Sequence, residues 1–129
     1  MKIAIIGAAY TGLATAKYFK SLGHNISVTT TKESRREELE EVADKVTVMF
    51  GSDQDKMKEL LVDQEILVLT VAGGMVEKDG KTVMDADLYR DAYVGTAESV
   101  VKAINSGAKV KQIIFTSSLN AYGDAHGEA

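Results

Sequence analysis

The sequence predicts an α/β fold with a parallel central sheet, and three observations carry that prediction. Short apolar runs alternate with longer amphipathic ones along the chain, the rhythm of strand, helix, strand units. The opening run Lys2-Ile3-Ala4-Ile5-Ile6 leads directly into Gly7-Ala8-Ala9-Tyr10-Thr11-Gly12, a glycine-bearing loop that opens a helix. The run from Glu65 to Val71 is apolar almost throughout, as a strand covered on both faces requires.

Each element has its own signal. Lys2 to Ile6 is the first strand. Thr11 to Leu22 is a helix with Leu13, Ala16, Phe19 and Leu22 at helical spacing, ended by Gly23 in a left-handed cap. Asn25 to Thr30 is the second strand. Ser34-Arg35-Arg36-Glu37 has the form of a capping box, which predicts a helix from about Ser34 to Ala43. Lys45 to Phe50 is the third strand, and Ser52 or Asp53 caps the short helix that follows. After the fourth strand, Gly73 to Val83 reads as a loop with Gly73-Gly74 and an Asp79-Gly80 turn. A loop there is either a substrate wall or lid at the strand ends or a solvated surface connection. Asp85 or Asp87 starts a long helix to about Ser106, its buried stripe Tyr93, Ala97, Val100, Val101 and Ile104, and Gly107 ends it. Lys109 to Phe115 is the fifth strand. Together these elements predict a Rossmann-type three-layer fold with a parallel sheet of about five strands in the order 3-2-1-4-5, forming one domain over residues 1–129.

Composition narrows the classes of function. With 129 residues, 45% of them hydrophobic, the chain is long enough for a proper core. A net charge of -4 and the lack of a basic stripe argue against nucleic-acid partners. No stretch reaches the length of a membrane span, and the apolar start is short and broken by glycine, so a cytoplasmic protein is expected. The absence of cysteine removes disulfide and thiolate chemistry, and His24 and His126 are too few and too scattered for a zinc site.

The first loop reads as a phosphate grip. Gly7 permits the tight turn off the strand, the small Ala9 lets backbone approach a pyrophosphate, and Gly12 lets helix and strand pack closely. Tyr10 and Thr11 begin the helix, whose free N–H groups face an anion. Ala9 replaces the second glycine of the usual pattern, so a turn kept tight for packing alone is the competing reading. The end of the second strand, Thr29-Thr30-Thr31-Lys32, has no acid to bond an adenosine ribose hydroxyl. Hydroxyls of Thr30 and Thr31 can instead donate to a 2′-phosphate that Lys32 and Arg35 neutralise, which predicts NADP, with NAD the alternative. The competing reading is that Lys32, Arg35 and Arg36 only solvate an acidic helix.

Two closing motifs carry a family resemblance. Tyr93-Val94-Gly95-Thr96 opens a helix, and Ile113-Ile114-Phe115-Thr116-Ser117-Ser118 is followed by Ala121-Tyr122-Gly123-Asp124. In order and spacing they resemble the short-chain dehydrogenase/reductase superfamily, in its extended and atypical epimerase/dehydratase-like branches, with Tyr93 standing where the family has Asn. The resemblance implies that Gly7, Ala9, Tyr10, Thr11 and Gly12 hold the pyrophosphate and that Asp53 contacts adenine, although Asp53 also reads as a helix cap. It further implies that Val71, Ala72 and Gly73 lie beside the ribose and nicotinamide, that Thr116 and Ser117 line the same end, and that Ser118 is the catalytic serine binding a substrate oxygen. The proton-transfer pair of that family, Tyr-x-x-x-Lys, falls beyond Ala129 in the expected spacing. Tyr122 belongs to the Tyr-Gly motif and has no lysine four residues on.

Three readings stand at this point. The chain is the cofactor-binding N-terminal portion of an epimerase, dehydratase or reductase acting on a nucleotide sugar or related small-molecule substrate. Its last strand is then an apolar edge prone to self-association into a homo-oligomer. Alternatively it is a non-catalytic NADP-binding or redox-sensing module. A methyltransferase or phosphorelay receiver is disfavoured, since the first would want an acid after the second strand and the second an aspartate ending a central strand.

Overall fold

The structure, a computed structural model, describes residues 1–117. Its elements in chain order are β1 (Lys2–Ile6), α1 (Tyr10–Ser21), β2 (Asn25–Thr30), α2 (Arg36–Glu40), β3 (Lys45–Val48), α3 (Gln54–Leu61), β4 (Ile66–Leu69), β5 (Met75–Lys78), β6 (Lys81–Met84), α4 (Ala86–Arg90), α5 (Thr96–Asn105) and β7 (Gln112–Phe115). Five strands form a parallel sheet in the order β3-β2-β1-β4-β7, which is the predicted 3-2-1-4-5 order with β7 as its fifth member. Ile3 pairs with Ile26 on one side of β1, and Ala4 pairs with Leu67 on the other.

Alternation along β1 sends its side chains to two cores. Ala4 and Ile6 pack with Leu67 and Leu69 of β4 against Met57, Leu60 and Leu61 of α3 and Val100 and Ala103 of α5. Ile3 and Ile5 pack with Ile26, Val28 and Val68 against Ala16 of α1 and Leu39 of α2. The result is a three-layer sandwich whose central strands are covered on both faces, so the reversal of strand order at β1 and β4 opens a crevice at their C-terminal ends.

Several elements differ from the sequence expectation. Residues 73–83 are not a plain loop: β5 and β6 pair antiparallel as a two-stranded sheet, Met75 opposite Met84 and Lys78 opposite Lys81. Asp79 and Gly80 both have positive φ, 54° and 73°, which is the backbone of a two-residue hairpin turn. The capping box does not form. Ser34 lies in a 3₁₀ turn, Glu33–Arg35, and α2 begins only at Arg36 with no side-chain cap. The long helix after residue 85 is interrupted by a π-helical turn, Asp91–Gly95, between α4 and α5. That extra residue shifts the buried face to Thr96, Ser99, Val100 and Ala103 and leaves Val101 exposed. Leu22, at helical spacing with Leu13, Ala16 and Phe19, lies just past the end of α1 and is exposed. The positive φ of Gly23 and Gly107 agrees with their predicted helix-ending role.

Asp44, just before β3, ties α1 to the sheet. Its Oδ2 accepts from the Ile26 N–H at 2.8 Å, and its Oδ1 accepts from the Lys20 ammonium. The lysine bond, then the backbone bond, hold this carboxyl below the ordinary carboxylate value. Because the folded group binds its proton less readily than the unfolded one, its stabilisation is complete above the ordinary carboxylate value and is lost as pH falls through the lowered one. Urea midpoints measured from pH 6 down to pH 3 should therefore fall less steeply for Asp44→Asn than for the parent. Parallel slopes would rule this contribution out. Among the described residues no helix is long and apolar enough to cross a membrane.

Candidate functional site

The crevice at the ends of β1 and β4 has two lobes that share Ala9, Thr70, Val71 and Ala72. The smaller, about 260 Å³, runs under the end of β2 and is lined by Gly7, Thr29, Thr30, Thr31, Lys32, Arg35 and Gly51 among others. The larger, about 500 Å³, lies toward β7 and is lined by Tyr10, Thr11, Tyr89, Tyr93, Phe115, Thr116 and Ser117. The glycine loop stands between them, where a molecule filling both lobes would have to cross it.

Hydrogen bonds fix that loop from both neighbouring strands. The Gly7 N–H donates to Thr29 Oγ1 at 3.1 Å, and the Ala8 N–H to the Thr29 carbonyl at 2.9 Å. On the other side Thr70 Oγ1 donates to the Gly7 carbonyl at 2.7 Å. Gly7 needs its glycine: φ is +93°, and a β-carbon there would lie 2.8 Å from the Val71 Cα. Gly12 is buried beneath the loop, where a β-carbon would meet the Gly7 carbonyl oxygen at 2.3 Å. Helix α1 starts after Ala9 with no side-chain cap and no acid in its first turn, so its free N–H groups are directed at the crevice. Loop, helix start and lobes together fit a dinucleotide with its pyrophosphate at α1.

At the end of β2, Thr30 is buried and its Oγ1 accepts from the Lys32 N–H at 3.2 Å, while Thr31 and Lys32 are exposed. Arg35 donates to the Ala8 carbonyl and, at 3.0 Å, to Glu38 Oε1, so it braces the glycine loop from the side. Arg36 points away, paired with Glu33, and is not part of the lobe. Asp53 caps α3, its Oδ1 accepting from the Lys56 N–H at 3.1 Å, and it lines neither lobe. Gly73 also lies outside both lobes and packs against the π-helical turn: a β-carbon on it would meet the Ala92 Cβ at 2.8 Å. The Thr116 hydroxyl donates to the Leu69 carbonyl at 3.2 Å, which pins the β7 end to β4. Ser118 lies outside the described residues.

Thr29, Thr70, Tyr89 and Tyr93 are among the lining residues that the sequence did not assign to the site. Thr29 and Thr70 act through side chains that bond the loop backbone, and nothing in their local sequence marks them. Tyr89 lies in α4 and Tyr93 in the π-helical turn that follows it; the sequence marks Tyr93 as a motif and stripe position, and Tyr89 only by its spacing of four from Tyr93.

A parallel sheet reversing beside a glycine loop and an uncapped helix defines a dinucleotide-binding domain. Residues 1–78 match the family model described as alanine dehydrogenase/PNT, C-terminal domain, and the chain belongs to that family of NAD(P)-binding Rossmann domains. Solved structures similar to it include a UDP-galactose 4-epimerase, with TM-score 0.77, 21% identity, 97% of this chain and 41% of that chain covered. A UDP-glucuronic acid 4-epimerase from Bacillus cereus gives 0.75, 18%, 100% and 44%. A UDP-glucose 4-epimerase from Brucella ovis in complex with NAD gives 0.72, 21%, 95% and 37%. The chain thus spans less than half the length of these proteins. They share its fold, which is that of the epimerase/dehydratase group to which the closing motifs pointed. No curated protein matches the sequence.

Proposed function

We propose that this chain is the NADP-binding domain of an epimerase, dehydratase or reductase acting on a nucleotide sugar or a related carbonyl or hydroxyl substrate, within the cytoplasm. The observation that carries the cofactor preference is the β2 end, where Thr31 and Lys32 are exposed on the smaller lobe and no carboxylate stands at the strand end. Arg35 spends two of its contacts on Ala8 and Glu38, but a guanidinium has five N–H donors and the rest can serve a 2′-phosphate. Gly7, Ala9, Tyr10, Thr11 and Gly12 take the pyrophosphate, Thr30 supports the ribose phosphate, and Val71, Ala72, Thr116 and Ser117 flank the nicotinamide. Asp53 and Gly73 serve by shaping the neighbouring turns, and Ser118 takes the substrate oxygen. The bound nicotinamide supplies hydride exchange, and the residues of this chain hold and orient it.

Titration with NADPH and NADH tests the preference. NADPH should bind more tightly, and Lys32→Ala should weaken NADPH by about tenfold, the worth of a charge-assisted hydrogen bond, while leaving NADH nearly unchanged. NADH binding as tightly as NADPH would overturn it. A second reading, a non-catalytic NADP-binding or sensing module, is favoured by the same lobe and gives the same titration without turnover.

A further inference from the structure

We propose that Tyr89 and Tyr93 form an aromatic wall that stacks on the nicotinamide ring and favours its oxidised, cationic form. The proposal rests on the dinucleotide reading of the crevice. With the adenosine end under β2 and the pyrophosphate at α1, the other end of the molecule falls in the larger lobe. No Asp, Glu, Lys or Arg lines that lobe among the described residues. Its wall away from the sheet is formed by the two tyrosines, whose ring centroids lie 4.6 Å apart at 42°.

Their placement is held from two sides. Gly74, with φ +92°, lies so close to the helix that a β-carbon would sit 2.5 Å from the Tyr89 Cβ, so the backbone after β4 abuts the first tyrosine directly. The π-helical turn containing Tyr93 is tied to the loop after β3 by Ser52 Oγ donating to Asp91 Oδ2 at 2.9 Å. A π-helical turn interrupts regular packing and recurs at functional sites; here it carries Tyr93, while Tyr89 stands one turn earlier in α4, and both line the lobe. Tyr89 remains 43% exposed and Tyr93 half-buried, which leaves ring surface free for a ligand.

The chemistry selects the partner. A pyridinium beside tyrosine rings gains a cation–π attraction that neutral dihydronicotinamide lacks, and with no charged side chain lining the lobe it is the ring faces that meet the cation. Both forms gain from stacking. The wall therefore raises affinity for the nicotinamide end generally and for NADP⁺ most.

Binding of NADP⁺, NADPH and 2′-phospho-ADP-ribose, which lacks the nicotinamide, tests this on the whole chain, with NAD⁺ and ADP-ribose run in parallel. Alanine at both positions keeps the Tyr89 β-carbon that meets Gly74, and Phe at both keeps the rings. The alanine pair should weaken NADP⁺ by about five- to tenfold, NADPH by less, and 2′-phospho-ADP-ribose not at all. The Phe pair should stay within about twofold of the parent for all three. Equal weakening of all three ligands, or of none, overturns the wall while leaving the cofactor reading intact. Failure of the unaltered chain to bind any dinucleotide overturns both.

Discussion

Gly12→Ala should both destabilise the chain and abolish most of its dinucleotide binding. The β-carbon would stand 2.3 Å from the Gly7 carbonyl oxygen and 2.7 Å from Thr70 Oγ1. Neither atom can retreat cheaply, because the Thr70 hydroxyl is bonded to that same carbonyl and the loop is bonded to Thr29 on its other flank. Helix α1 must lift from β1 or the glycine loop must shift, and either moves the N–H groups that face the crevice. Overpacking of this kind costs about 1–3 kcal/mol. Urea unfolding should show that loss, and NADPH affinity should fall by at least about tenfold, since one lost charge-assisted hydrogen bond accounts for that much. A variant that unfolds with the parent and binds NADPH as well would show that α1 and the loop are not in the contact described.

Ile5→Ala should produce the larger loss of stability with little direct effect on the site. Ile5 lies on the central strand, has no solvent exposure and sits in the core beneath α1 and α2. Removing three carbons there leaves a cavity between layers already held by β1, so about 2–5 kcal/mol is expected. The urea midpoint should drop with an unchanged denaturant slope, because the surface exposed on unfolding is nearly the same. A shift under about 1 kcal/mol would mean that the layers close over the gap, contrary to the packing of β1 between two covered faces.

The parallel sheet was legible because its signals are local and redundant. Ile3 to Ile6 and Ile66 to Leu69 are apolar on both faces, and strands covered on both sides leave few other arrangements. Lys78-Asp79-Gly80-Lys81 carried a visible turn, but Met75-Val76-Glu77-Lys78 and Lys81-Thr82-Val83-Met84 do not alternate apolar with polar, so a largely exposed hairpin read as loop. The π-helical turn was not legible, since it answers to Ser52 and Gly73 from distant parts of the chain. At the site, Gly7, Gly12 and the β2 end stood out because their residue types are demanded by backbone geometry or charge. Asp53 matched a family position while its carboxylate serves α3, a case where one residue type fits two jobs and only the fold separates them. Thr29 and Thr70 became recognisable only once three strands were side by side.

The bare start of α1 also bears on what the stability of this chain means. Asp53 and Asp85 supply their helices with an acceptor from within, whereas α1 receives none and must complete its first turn with something dissolved around it. The pyrophosphate proposed for that position would act as the missing cap. Each tenfold rise in free ligand above its dissociation constant then adds about 1.4 kcal/mol to folding. With the proposed ligand bound, the melting temperature of the domain would be a gauge of the nucleotide pool around it as much as a property of its own residues.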